Sequence, residues 1–193
     1  MSPKLKISRR VRREKKISPW VPLGLIVIFG LVVWGGMRFG QRAMAVYDIW
    51  RKPMVWDADG ILMQNTKWSC VPCSIVMILD DEGIESTTAE IAWISGTDLT
   101  GTASEGIIMA GNYYGFDVIE TKMGFDELMD ADTPAIVFFP WENYLHAVYV
   151  RPDRENNWLE VKNPAMGLYY TNKELVMNHF GSDYWDVFLF ERR

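Results

Sequence analysis

Nineteen consecutive residues without a charge, Pro19 to Met37 (PWVPLGLIVIFGLVVWGGM), separate a basic head from an acidic body. At ~1.5 Å per helical residue the run reaches ~28 Å, about the hydrocarbon thickness of a bilayer. Trp20 and Trp34 stand near its ends, where indole rings favour the membrane–water boundary. Residues 1–18 hold eight Lys/Arg (Lys4, Lys6, Arg9, Arg10, Arg12, Arg13, Lys15, Lys16) against one acid, Glu14, a net +7. Residues 53–193 hold eight Lys/Arg against 23 Asp/Glu, a net −15. A buried core helix would not be bracketed by such cations. A cleaved signal peptide is the stronger rival, because Ala43-Met44-Ala45 has a small-x-small cleavage pattern. Arg38 and Arg42 fall between the apolar run and that site, and Arg12 and Arg13 spoil a twin-arginine reading of Ser8-Arg9-Arg10. The expectation is an uncleaved anchor. Its basic N-terminus stays cytoplasmic, and the acidic domain stands on the extracytoplasmic side.

The expected organisation follows: a basic stub over residues 1–18, a transmembrane helix over 19–37, a juxtamembrane linker over 38–60 containing the breaker Pro53, and a working domain over 61–193. With two Cys and two His, a disulfide framework, an all-cysteine metal site and a multi-histidine centre are excluded, so no metal and no cofactor are expected. A sequence pI near 5.1 argues against nucleic acid as a partner.

Three Thr-x-x-Glu sequences, at Thr87–Glu90, Thr102–Glu105 and Thr171–Glu174, match the capping box and predict helix starts. Gly115 and Gly181 are suited to end the second and third of these helices. Pro72 to Leu79 is apolar on nearly every side and predicts a central buried helix. The second half is strand-rich. Ala135–Phe139 is a continuous apolar run, His146–Val150 and Trp158–Asn163 flank a turn as a hairpin, and Val187–Phe190 makes a last strand. Helices first and antiparallel strands second give an α+β fold. A hairpin symmetric about position 154.5 sets Val150 opposite Leu159, Val148 opposite Val161 and His146 opposite Asn163, all on one face.

Four side chains could carry chemistry. Cys70 stands at the start of the central helix, where the helix dipole and free amides favour a thiolate. His146 could serve as general base and acid, and Asn163 would fix its ring and tautomer. Gln64, six residues before Cys70, could aim an amide N–H at an oxyanion beside the Cys70 backbone amide. His179 reads as a helix C-terminal residue without a catalytic part.

At these residues the sequence resembles the bacteriocin-processing (double-glycine leader) cysteine peptidases. The resemblance rests on Gln64-Asn-Thr-Lys-Trp-Ser-Cys70-Val-Pro-Cys-Ser, Gly83-Ile84, Gly101-Thr102, Asn112-Tyr-Tyr-Gly115-Phe116, Thr133-Pro134-Ala135-Ile136-Val137, His146-Ala-Val-Tyr-Val and Asn163-Pro164-Ala165-Met166-Gly167, over about residues 61–190. It implies a papain-like fold with Cys70 as nucleophile, His146 as base, Gln64 in the oxyanion hole and a peptide or protein as substrate. Three departures stand. The family has Asp-Pro where this chain has Asn163-Pro164, position 73 is usually small, and relatives fused to exporters act on the cytoplasmic side.

Cys70-Val-Pro-Cys73 is also a C-x-x-C pair, so a membrane-tethered thiol–disulfide oxidoreductase is the rival reading, and a catalytically silent peptidase-like binding module a third. The oxidoreductase fold needs an apolar strand running into the motif, whereas Gln64 to Ser69 is polar apart from Trp68. In an oxidising compartment the two cysteines could close a short strained disulfide that silences a peptidase until a thiol reduces it.

Overall fold

The computed structural model describes residues 20–52, 54–141, 144–180 and 184–193, with side chains from residue 27 onward and, in the last helix, as far as residue 178. The basic stub, Pro19, Gly181 and the side chain of His179 lie outside these residues. The chain divides into two units, residues 1–37 and 38–193.

Helix α1 (Trp20–Arg51) is the regular structure among the described residues of the first unit. Its apolar side chains Val27, Ile28, Phe29, Leu31, Val32 and Trp34 are each more than half exposed, at 55 to 70%. Among the described residues no helix is long and apolar enough to cross a membrane. Of the expected span, Pro19 and the side chains of residues 20–26 lie outside that description.

In the second unit the segment expected as linker is helical as far as Arg51, where Pro53 two residues on would bar continuation. Arg38 pairs with Asp98 at 3.0 Å, Arg42 donates to the Trp93 carbonyl with its guanidinium 4.6 Å from the Trp93 ring, and Ala45 and Ile49 are buried. A short hairpin, β1 (Val55–Trp56) with β2 (Leu62–Met63), leads to three helices, α2 (Cys70–Asp81), α3 (Thr88–Ile94) and α4 (Ser104–Tyr113). The remainder is β3 (Phe116–Met123), α5 (Phe125–Asp130), β4 (Ala135–Trp141), β5 (Tyr144–Asp153), β6 (Trp158–Asn163), β7 (Gly167–Thr171), α6 (Lys173–Phe180) and β8 (Trp185–Arg192). Six strands form one antiparallel sheet in the order β3-β8-β4-β5-β6-β7. The expected α+β class is what the chain adopts.

Alternation along the strands builds a core on each face of the sheet. Ile136, Ala147, Tyr149, Phe188 and Phe190 join Ile75, Met77, Ile78 and Leu79 of α2, with Ile91 and Ile107, in one cluster. Val137, Val148, Val150, Leu159, Val161 and Val187 join Phe125 and Leu128 of α5 and Val176 of α6 in the other. Burying an aliphatic side chain of this size contributes about 1.5–3 kcal/mol, so α2, buried from Cys70 through Leu79, is the best-anchored helix. Gly106 lets α4 cross α3 closely, because a Cβ there would strike the Ser95 carbonyl.

Several local expectations change. Thr87 caps α3 by accepting from the Glu90 amide at 3.2 Å, as its sequence predicts. Thr102 does not cap α4. Its hydroxyl bonds Thr97 at 2.6 Å, and the helix starts one residue later behind Ala103. Thr171 yields to Asn172, whose carboxamide accepts from the Leu175 amide at 3.0 Å. Gly115, at φ +87°, follows the end of α4 as expected.

The β5–β6 register also differs. Tyr149 pairs with Lys162, Val150 with Val161 and Asp153 with Trp158, so the hairpin centres on 155.5 rather than 154.5. Strand β5 runs on to Asp153, whose carboxylate accepts from the Asn156 backbone (3.3 Å) and side chain (2.8 Å), and Asn157 takes φ +56°. These local bonds pin a tighter turn than the one expected. Moving the centre by one shifts every partner by two, and a two-residue shift keeps each side chain on its face. His146 and Asn163 therefore still meet, diagonally rather than directly opposite.

Candidate active site

The start of α2 is shaped by the turn before it. Ser69 bonds back to Thr66, its N–H and its hydroxyl both reaching the Thr66 carbonyl, at 3.4 and 3.0 Å. With its hydroxyl so engaged, Ser69 gives the helix no side-chain cap. The Cys73 amide bonds the Ser69 carbonyl at 2.9 Å, and Pro72 has no amide hydrogen. The amides of Cys70 and Val71, with that of Ala147 on β5, lie close enough to the Cys70 sulfur to favour its thiolate. Cys70 is 6% exposed. Burial raises its thiol above the ordinary value, and those three amides oppose the rise without reversing it.

His146 and Asn163 are both fully buried. Their side chains join through His146 Nε2 and Asn163 Oδ1 at 2.9 Å. Asn163 Oδ1 also accepts from the Ala165 backbone amide at 2.8 Å, which fixes the carboxamide with its oxygen toward the ring. His146 Nε2 is then the protonated nitrogen, and Nδ1, buried without a partner, keeps its lone pair. Burial pulls the imidazole below its ordinary value, and the bond to Asn163 raises it only in part. Phe139, Trp141 and Tyr144 stand around the ring, with centroids 5.6, 5.3 and 6.4 Å away.

Gln64 enters through its backbone. Its amide donates to the Pro164 carbonyl at 2.8 Å, one residue beyond Asn163, and its side-chain Oε1 is buried without a partner. Two hydrogen bonds tie three of the expected residues together, His146 to Asn163 and Gln64 to the residue after Asn163, and the Ala147 amide, next to His146, lies close enough to Cys70 to favour its thiolate.

Cys73 is fully buried, with its sulfur 3.5 Å from the Met54 sulfur. Burial and the neighbouring Cys70 push its thiol far up, and both cysteines are free. No strand runs into the Cys70-Val-Pro-Cys73 pair. A turn occupies the position that the oxidoreductase reading requires to be a strand. Sequence reasoning did not find the Ala147 amide, the aromatic surround of His146 or the Gln64–Pro164 bond. Only the aromatic residues beside His146 left a signal that could have been read.

The Peptidase C39 family model matches residues 59–185, well over half of the chain. An uncharacterised protein of Methanothermobacter thermautotrophicus is 31% identical over 120 residues, which are 62% of this chain and 82% of that protein. The lactococcin-G-processing and transport ATP-binding protein LagD of Lactococcus lactis is 28% identical over 136 residues, 68% of this chain but 18% of the transporter. Among solved structures, the peptidase domain of Streptococcus ComA, a bi-functional ABC transporter, superposes with a TM-score of 0.58 at 22% identity, over 68% of this chain and 98% of that domain. A double-glycine-motif protease from a PCAT transporter, solved with its leader peptide, gives a TM-score of 0.57 at 16% identity, over 69% and 91%. At such identities these structures speak for the fold, which is the papain-like one the resemblance implied. The chain belongs to the peptidase C39 family and is a cysteine-type peptidase.

Proposed function

We propose that the chain is a membrane-anchored peptidase of the bacteriocin leader-processing kind, with Cys70 as nucleophile, His146 as general base and acid, Asn163 as the residue that orients the imidazole, and Gln64 with the Cys70 amide as the oxyanion hole. The observation that carries this reading is the 2.9 Å bond from His146 Nε2 to Asn163, which leaves Nδ1 as the basic nitrogen of a fully buried imidazole.

Burial raises the Cys70 thiol and lowers the His146 imidazole, which favours the uncharged pair at rest. Nδ1 of His146 takes the thiol proton as sulfur bonds to the scissile carbonyl carbon. The carbonyl π electrons move to oxygen, and the Cys70 amide with the Gln64 carboxamide N–H stabilises that charge. Collapse breaks the C–N bond, and the imidazolium gives its proton to the leaving amine. Water then attacks the thioester while Nδ1 takes a proton from it, and the acid product leaves with the thiol restored. Asn163 is neutral, so it fixes the ring without stabilising the imidazolium as a carboxylate would.

The substrate class comes from the relatives. LagD is named for processing, and the PCAT protease for a double-glycine motif and a leader peptide. A precursor peptide with small residues at the scissile bond also suits a nucleophile that is only 6% exposed. Anchoring is supported by the uncharged run Pro19–Met37 and by the uncovered apolar side chains of α1 from Val27 to Met37, which lipid would cover at no cost. The basic stub orients the domain extracytoplasmically.

Cleavage of a fluorogenic peptide with Gly-Gly before the scissile bond tests the chemistry. Activity is expected from the wild type and none from Cys70→Ala or His146→Ala. Full activity in either variant contradicts the reading. Retention in the membrane pellet after alkaline carbonate, with digestion of the domain by protease added outside, tests the topology.

A further inference from the structure

A second polar constellation lies at the other end of α2, and each of its members shares an element with one member of the proposed catalytic set. Asp81 ends the helix that Cys70 begins. Tyr149 lies three residues after His146 on β5, and Lys162 directly precedes Asn163 on β6. The Tyr149 hydroxyl donates to Asp81 Oδ2 at 2.7 Å, and Lys162 Nζ reaches both Asp81 oxygens at 2.8 and 2.7 Å. Tyr149 and Lys162 are directly paired across the β5–β6 ladder, with the ammonium 5.1 Å from the ring centroid.

The group is anchored on a buried member, Tyr149, while Asp81 meets solvent at the end of α2. Tyr149 is 1% exposed, and the Lys162 and Asp81 side chains are 13% and 24% exposed. Burial and the Asp81 carboxylate hold the Tyr149 phenol protonated well above neutral pH, so it remains a donor. Arg151 adds a longer contact to Asp81 at 3.7 Å while bonding Glu160 at 3.1 Å. Nearer the start of α2, the buried Ser74 hydroxyl lies 3.5 Å from the carbonyl of Ala147, the residue after His146.

Apolar burial holds α2 on the sheet, and its many small contacts tolerate small shifts in position. A charged, hydrogen-bonded contact has one geometry and fixes that position. We infer that Asp81, Tyr149 and Lys162 are positioning residues for the peptidase reaction: their clamp sets the register of α2 against β5 and β6, and with it the placement of Cys70 relative to His146 and Asn163. This rests on the proposed catalytic assignment. The clamp touches neither substrate nor reacting atoms, so its loss lowers turnover and leaves substrate binding nearly unchanged.

The test uses the full-length chain in detergent, well below its unfolding midpoint. Iodoacetamide alkylation of Cys70 and cleavage of the Gly-Gly fluorogenic peptide are followed in wild type, Tyr149→Phe, Asp81→Asn, Lys162→Met, Lys162→Arg and His146→Ala. The expected result is a five- to twentyfold fall in kcat for the first three variants, with KM within twofold and a matching fall in the alkylation rate. Lys162→Arg, which can still pair with Asp81, recovers most of the loss. Unchanged kcat and alkylation in Tyr149→Phe and Asp81→Asn, with only a lower unfolding midpoint, overturns the inference and makes the clamp purely structural. His146→Ala separates the two levels. If Cys70 alkylates as fast without His146 as with it, the catalytic assignment falls, and the clamp's proposed role falls with it.

Discussion

The two ends of helix α2 are built on opposite terms. At its C-terminal end Asp81 is saturated, taking a phenol and an ammonium at 2.7–2.8 Å. At its N-terminal end polar atoms are buried without partners: His146 Nδ1 and Gln64 Oε1, beside a thiol and an imidazole that burial drives toward neutrality. An unpaired buried polar atom costs about 1–3 kcal/mol. The cost is borne at the end where a substrate carbonyl would complete the set. On the proposed assignment the unsatisfied end carries the chemistry and the satisfied end sets its position.

The largest effect should come from removing the sulfur at the unsatisfied end. Cys70→Ala is expected to lower peptide cleavage by about three orders of magnitude or more, while its circular dichroism spectrum stays that of the wild type. Residual activity within tenfold of wild type would place the nucleophile elsewhere.

A smaller change reverses the electrostatics there. Asn163→Asp restores the carboxylate of the family pattern, raises the imidazole pKa and favours a thiolate–imidazolium pair. Cys70 alkylation at pH 7 should rise about tenfold if the added charge contributes about 1.4 kcal/mol. The wild-type rate should climb steadily with pH up to and beyond 9, because burial holds the thiol above that ordinary value. A wild-type plateau beginning in the acid range would mean that the ion pair already exists.

Stability against pH reports the same burial. The folded-state pKa of His146 lies below its ordinary 6.5, so the unfolded chain takes up the proton first. Its contribution is fully present above pH 6.5 and is lost as the pH falls through the folded value. The cysteines act in the opposite sense. Their folded values lie above the ordinary 9.0, so stability is lost as the pH rises past 9. Urea midpoints of Cys73→Ala should therefore decline less steeply above pH 9 than those of wild type. Parallel curves would show that Cys73 is not dry in solution.

The smallest effect belongs to activity in that same variant. Cys73→Ala should cleave peptide within about twofold of wild type under reducing conditions, because the Cys73 sulfur is buried against Met54 and has no role in the proposed mechanism. A complete loss would revive the paired-cysteine reading.

Residue type and spacing made much of the site legible. A cysteine before a proline-containing apolar helix, a histidine opening a strand and an amide across a hairpin are local signals, and the two-residue register error left their faces intact. The cap at Thr102 was misread because its hydroxyl has a nearer partner in Thr97, and the cap at Thr171 because Asn172 competes at the next position. Strands β3 and β7 went unread, since an edge strand with mixed exposure shows neither a continuous apolar run nor a clean alternation. Nothing local announces the Asp81 clamp, whose partners Asp81 and Lys162 are 81 residues apart. Such a pair becomes visible only once the sheet register is known.

The most direct test of the catalytic assignment is the rate at which iodoacetamide modifies each cysteine, read by peptide mass spectrometry, with and without His146. The account predicts that Cys70 alone is modified in the native enzyme and that His146→Ala slows it at least tenfold at pH 7. Modification of Cys73 at a comparable rate, or indifference of Cys70 to the loss of His146, would contradict it.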